Sequence, residues 1–267
     1  MKTFKIVGAA IGYLLVYLLV MTVTTLLIRA LVHDPAMKQF IRDNMVVVLL
    51  LANCLALLVY SVLFRLRGQN LFTFTGFVKT DRQTVMLVIP AGLSLGVSIF
   101  AVAHLNAVSA NFPGIVQLTE TVGNGGNLLL MILGSVLMGS LLEEILFRGI
   151  LLQTFHKRFS LAVSIGLQAL LFGLMLMNLP LVLFAALGAV VYGLVRVWGA
   201  SMWASLITHM VSTTTLIVLY QVQGGSLSQT VIGSLLAVGV ILLSACLWTL
   251  NRHAKRGSYA ESQFNGS

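Results

Sequence analysis

The sequence predicts an all-α, polytopic membrane protein: a bundle of about eight transmembrane helices with both termini cytoplasmic. Three observations predict it. Hydrophobic residues make up 58% of the 267 and charged residues only 9%, with a mean hydropathy of +1.00. A soluble domain carries about 25% charged residues, and a disordered chain needs high charge and low hydrophobicity, so both classes are excluded. Eight apolar segments come close to the ~20 residues that cross a hydrocarbon core. Finally, 16 Lys and Arg stand against 7 Asp and Glu, and the basic residues fall almost wholly on alternate loops.

The segments run over 6–28, 44–64, 84–106, 128–152, 160–178, 180–195, 199–221 and 229–250. The first follows Met1-Lys-Thr-Phe-Lys5. It is longer than the 7–15 apolar residues of a cleavable signal and is read as a retained helix. Between the second and third, Phe72, Phe74 and Phe77 lie among basic residues in 66–83, a segment for the inner headgroup layer or an ordinary cytoplasmic loop. The fifth and sixth meet at Asn178-Leu179-Pro180, where proline stops one helix from continuing the other. A polar glycine loop, 221–229, separates the last two. Residues 1–250 therefore form a single transmembrane domain, and 251–267 a polar cytoplasmic tail.

With the N-terminus inside and strict alternation, the cytoplasmic side receives every Lys and Arg except Arg29, Lys38 and Arg42. This satisfies the positive-inside rule. The net charge of +9 is thus a topological signal and does not point to nucleic acid. The expected surroundings are a lipid bilayer, and the expected location is a cell membrane, the bacterial plasma membrane. Cys54 and Cys246 lie in apolar runs with no metal-binding or redox spacing, and are expected to be inert buried thiols.

Of the seven acids, only Glu143 and Glu144 fall inside a span, about ten residues or ~15 Å from its cytoplasmic border. Ionisable groups at such depth face the bundle interior or water. Glu144 and Arg148 stand at i,i+4 with the acid first, the favourable order for a helical ion pair. Glu143 points about 100° away, on the side of Gly139 and Ser140, and has no local basic partner. It is either a buried hydrogen-bonding residue or a reactive carboxylate. His209 sits mid-way along the seventh segment, at a depth of about 16 Å. A histidine there bonds helices together or works with Glu143 on a water molecule. His104 and His156 are expected at the outer and inner borders.

Glu143-Glu144-Ile-Leu-Phe-Arg148-Gly149 resembles the first motif, EExxxR, of the CAAX protease and bacteriocin-processing (CPBP, or Abi) family of intramembrane endopeptidases. The resemblance covers about 125–220. Phe172 matches the start of the family's second motif, FxxxH, and His209 the start of its third, HxxxN or HxxxD. The chain departs at two places, with Leu176 where the second motif has histidine and Thr213 where the third has an amide or acid. Asn178, about 200° round a continuing helix from Leu176, does not take over.

The resemblance implies that Glu143 activates water, that His209 positions it or stabilises the oxyanion, and that Glu144 with Arg148 holds the helix. Thr213 keeps a hydroxyl one turn after His209. A zinc site takes three or more protein ligands, and Glu143 with His209 supplies two, so no cofactor is expected and a divalent metal is disfavoured. The implied function is hydrolysis of a peptide bond in a membrane-associated peptide or protein. The alternative is a catalytically degenerate member that binds a membrane protein or peptide as a regulatory or bacteriocin-immunity factor. A proton-relay transporter is weaker, because no inverted repeat is visible.

Overall fold

The computed structural model describes residues 2–124, 126–223, 225 and 227–256, and among these no strand occurs. Twelve helices can be numbered in chain order. They are α1 (Lys2–Leu31), α2 (Pro35–Asp43), α3 (Val46–Leu66), α4 (Leu71–Thr75), α5 (Arg82–His104), α6 (Asn106–Asn111) and α7 (Pro113–Asn124). There follow α8 (Leu128–His156), α9 (Leu161–Leu174), α10 (Leu179–Trp198), α11 (Met202–Val222) and α12 (Gln229–Arg256). Seven of them, α1, α3, α5, α8, α10, α11 and α12, are long and apolar enough to cross a membrane. The all-α polytopic class is therefore observed.

The count differs from eight at α9, which has only 14 residues, about 21 Å of rise and short of a crossing. Its partner α10 returns antiparallel to it. Gly173 abuts Val182, and further back Ile165 and Gln168 meet Gly193. The turn between them occupies 175–178, earlier than expected, with Met177 at φ 50°. Asn178 caps α10 by accepting from the Leu181 amide, and Pro180 lies in the first turn of that helix rather than breaking the previous one. A proline there sacrifices no intrahelical hydrogen bond. The expectation that 160–178 is one helix is corrected accordingly.

Helix α5 is the central post, packed against α11 on one side and α12 on the other. Its Gly92 and Gly96 meet the backbone of α11, where an added Cβ would stand 2.7 Å from the Thr208 carbonyl oxygen and 2.6 Å from that of Ser212. Small residues four apart permit this approach in lipid, where apolar burial supplies little drive for helices to associate. Helix α8 lies between α3 and α11, and α1 rests on α3. Leu142, Leu146 and Ile150 of α8 join Ala56, Tyr60 and Phe64 of α3 and Leu14 of α1 in the main apolar cluster. Cys54 is exposed on α3 and Cys246 half-buried, contrary to expectation; a lipid-facing position suits an apolar thiol equally well.

The aromatic segment between α3 and α5 is docked protein. Asn70 caps α4 and Gly76, at φ 82°, ends it. The carbonyls along this segment are used in turn: Gln153 donates to Phe74, Arg196 to Thr75, the Met202 amide to Gly76 and Ser201 to Val78. Residues 251–256, expected to begin the polar tail, continue α12; residues 257–267 of that tail lie outside the described residues.

Candidate functional site

The site is built on an irregular α8. Residues Ile132–Gly139 and Glu144–Leu151 are π-helical, separated by one ordinary turn, Ser140–Glu143. Widened i→i+5 turns inside α-helices concentrate at functional positions, because each inserts one residue and re-aims the side chains beyond it. Here the break falls between the two glutamates. Glu144 has no exposed surface, whereas the Glu143 side chain is 34% exposed.

Glu144 and Arg148 form the expected ion pair, Oε1 to Nη1 at 3.0 Å, with both side chains fully buried. The guanidinium lies between two rings, 5.1 Å from the centroid of Phe172 and 5.0 Å from that of Tyr192. Its Nη2 donates to the Ala189 carbonyl at 3.3 Å, which also accepts from Gln168 Nε2 at 3.1 Å. A cation over aromatic faces with a carboxylate beside it is stabilised without water. Phe147 and Phe172 meet edge to face, with centroids 5.0 Å apart.

His209 of α11 connects the two glutamates. Its Nδ1 lies 2.9 Å from Glu144 Oε1 and its Nε2 3.7 Å from Glu143 Oε2. An ionised carboxylate only accepts, so Nδ1 carries the proton, and in the neutral form of the ring Nε2 is an acceptor facing Glu143. The imidazole is stacked on Tyr192, with centroids 4.3 Å apart. Ser212 donates to the His209 carbonyl, and the Tyr192 hydroxyl shares a hydrogen bond with Ser212. Arg148, Glu144, His209 and Glu143 thus form one chain of contacts, fixed at one end and open at the other.

Sequence reasoning placed Glu143, Glu144, Arg148 and His209 together, and the structure joins them. It also adds a bond that was not anticipated, from Glu144 to His209, so Glu144 does more than clamp the helix. Phe172 serves as one of the two rings against Arg148. Thr213 is half-buried one turn beyond His209. Leu176 lies in the turn after α9, and Asn178 caps the next helix. Neither therefore continues α9, and no helical angle relates the two. Tyr192, Ser212 and Gln168 were missed. A tyrosine in an otherwise apolar span, four residues before Arg196, is the only signal that pointed to any of them.

With Glu144 Oε1 engaged by both Arg148 and His209, the lone-pair-bearing atoms facing one another are Glu143 Oε2 and His209 Nε2. Among the described residues no group of three or more His, Cys, Asp or Glu is placed to hold a metal ion. Residues 125–215 match the family model described as type II CAAX prenyl endopeptidase Rce1-like, about a third of the chain and the part holding α8 to α10 and the first two-thirds of α11. The resemblance drawn from EExxxR is borne out over that segment. No curated protein and no solved structure matches the chain.

Proposed function

We propose, from the match of residues 125–215 to type II CAAX prenyl endopeptidase Rce1-like proteins, that this chain is an intramembrane endopeptidase in which Glu143 activates water. The observation that carries the reading is the pair of acceptors, Glu143 Oε2 and His209 Nε2, 3.7 Å apart in a partly open site. A water molecule between them donates one proton to each and presents its lone pair to a peptide carbonyl. Glu143 takes a proton from this water as the hydroxyl oxygen bonds to the carbonyl carbon. The C–N bond then breaks, and the proton passes from Glu143 to the leaving nitrogen. Glu144 holds the tautomer and plane of His209, and Arg148 keeps Glu144 ionised and in place. The two protein donors left free give a metal ion too few ligands, and the reading uses none. The substrate is a membrane-associated peptide or protein, the membrane that of a bacterial cell, and the basic end of the bundle its cytoplasmic side.

Glu143→Gln keeps the shape of the side chain and removes the base. Mass spectrometry of membrane-associated peptides is expected to show chain-dependent cleavage falling by about 10²–10⁴, with insertion unchanged. Equal cleavage by the variant would sink the proposal. A second reading, a degenerate member acting by binding as a regulatory or bacteriocin-immunity factor, is favoured by Leu176, an apolar residue in a turn where the family places a histidine. Under it the biological effect of the chain survives Glu143→Gln.

A further inference from the structure

We propose that Asn53 of α3 is a substrate-binding amide that donates to the carbonyl under attack, supplying from outside the family-matched segment the donor that Leu176 lacks. The proposal rests on the endopeptidase reading and deepens it.

Asn53 occupies the middle of an apolar helix, Val46–Leu66, and is 6% exposed. Its side chain makes no hydrogen bond among the described residues. An amide has two donor hydrogens and an acceptor oxygen. Leucine would fill nearly the same volume at this depth without leaving polar atoms unpaired, so packing alone does not account for an asparagine.

Its position relates it to the site. Helices α3 and α8 run parallel, since Val46 meets Gly134 and Asn53 meets Gly139. The Asn53 Nδ2 atom lies 3.8 Å from where a Cβ on Gly139 would stand. Gly139 precedes Glu143 by four residues, one helical turn on the same face. The intervening turn, Ser140–Glu143, touches both α3 and α11, which carries His209. The glycine thus brings the unpaired amide within ordinary contact distance of α8, one turn from Glu143. A peptide lying along α8 with its scissile carbon over Glu143 and His209 directs its carbonyl oxygen to the α3 side. Asn53 is there the neutral donor for the developing oxyanion.

The test uses the full chain in lipid nanodiscs and a farnesyl-cysteine peptide carrying a fluorophore and a quencher, together with the matching peptide aldehyde and peptide alcohol. Loss of a single oxyanion donor predicts that Asn53→Leu lowers kcat by about 10²–10³ with KM within about threefold, a split that a structural defect does not give. The thermal unfolding midpoint is unchanged, and Asn53→Gln recovers part of the rate. In the binding arm, the aldehyde, whose hydrate resembles the tetrahedral species, binds wild type more tightly than the alcohol. Asn53→Leu removes that preference. Failure of the parent reading is visible separately, as Glu143→Gln cleaving like wild type or as no cleavage by either. The binding arm then decides on Asn53 alone. The proposal is overturned by Asn53→Leu cleaving within about twofold of wild type. In a chain that does not cleave, it is overturned by the absence of an aldehyde preference that the substitution removes.

Discussion

Arg148 is the residue on which the geometry of the other three depends. It neutralises Glu144, touches Phe172 and Tyr192, and reaches across to the Ala189 carbonyl. Arg148→Met is expected to destabilise the fold by about 3–5 kcal/mol, because it leaves Glu144 as a buried charge with only His209 beside it. Adding Glu144→Gln to Arg148→Met is expected to restore most of the stability and none of the cleavage that the endopeptidase reading predicts, since an amide that can donate as well as accept no longer fixes the His209 proton. Thermal unfolding in detergent and a cleavage assay measure the two effects. Arg148→Lys does not rescue either, for an ammonium cannot contact Glu144 and the Ala189 carbonyl as a planar fork and stack between two rings at once. The Glu144–Arg148 pair was legible in the sequence because helical spacing alone dictates it. The bond from Glu144 to His209 was not, because it depends on the approach of α8 and α11, which no local pattern encodes.

At the level of elements, the approach of α5 to α11 depends on two hydrogen atoms, those in place of a Cβ at Gly92 and Gly96. Gly96→Leu is expected to push the helices apart and lower stability by about 1–3 kcal/mol or more. Gly8→Leu on α1, where nothing lies within 4 Å of an added Cβ, should leave the unfolding curve unchanged. Thermal unfolding of the two variants side by side checks this. The long helices were legible because apolar length is nearly all that a span requires. The end of α9 was not, since Met177 takes φ 50° without the glycine that ordinarily marks a left-handed residue. Apolar Leu176 and Met177 then look like more helix. The reverse happened at α4, where Asn70 and Gly76 are ordinary start and stop residues standing beside aromatics that drew attention to the membrane surface.

For the whole molecule, the first and last spans are the outermost. Only 17% of the apolar window of α1 and 11% of that of α12 is buried, against 50% for α5 and α11. The basic end of α12 is held by a polar contact, His253 Nε2 to Asp81 Oδ1 at 3.4 Å. Asp81 also caps α5, accepting from the Thr84 amide and hydroxyl. Partial burial disfavours its charge, but the Thr84 hydrogen bonds and the neighbouring His253 outweigh this and hold the carboxyl below its usual range. Because the folded value is depressed, the contribution to stability is present in full above the ordinary carboxyl range. It is lost as the pH falls through the folded value. Hydrogen exchange at 250–253 is therefore expected to quicken on acidification below that range, and Asp81→Asn to abolish the change. This latch was not legible in the sequence, since its partners are 172 positions apart.

The widened turns of α8 make the site dependent on a count of residues. A π turn holds one residue more than the α turn it replaces, and one residue is about 100° of rotation. The turn between Ile132 and Gly139 absorbs its extra residue; drawn into ordinary α geometry at the same length, it would swing everything beyond it by about that angle. Glu144 and Arg148 would together turn away from His209, and Glu143 would turn off the open face. The helix behaves here as a vernier, and its setting is the width of a turn more than the identity of any one side chain.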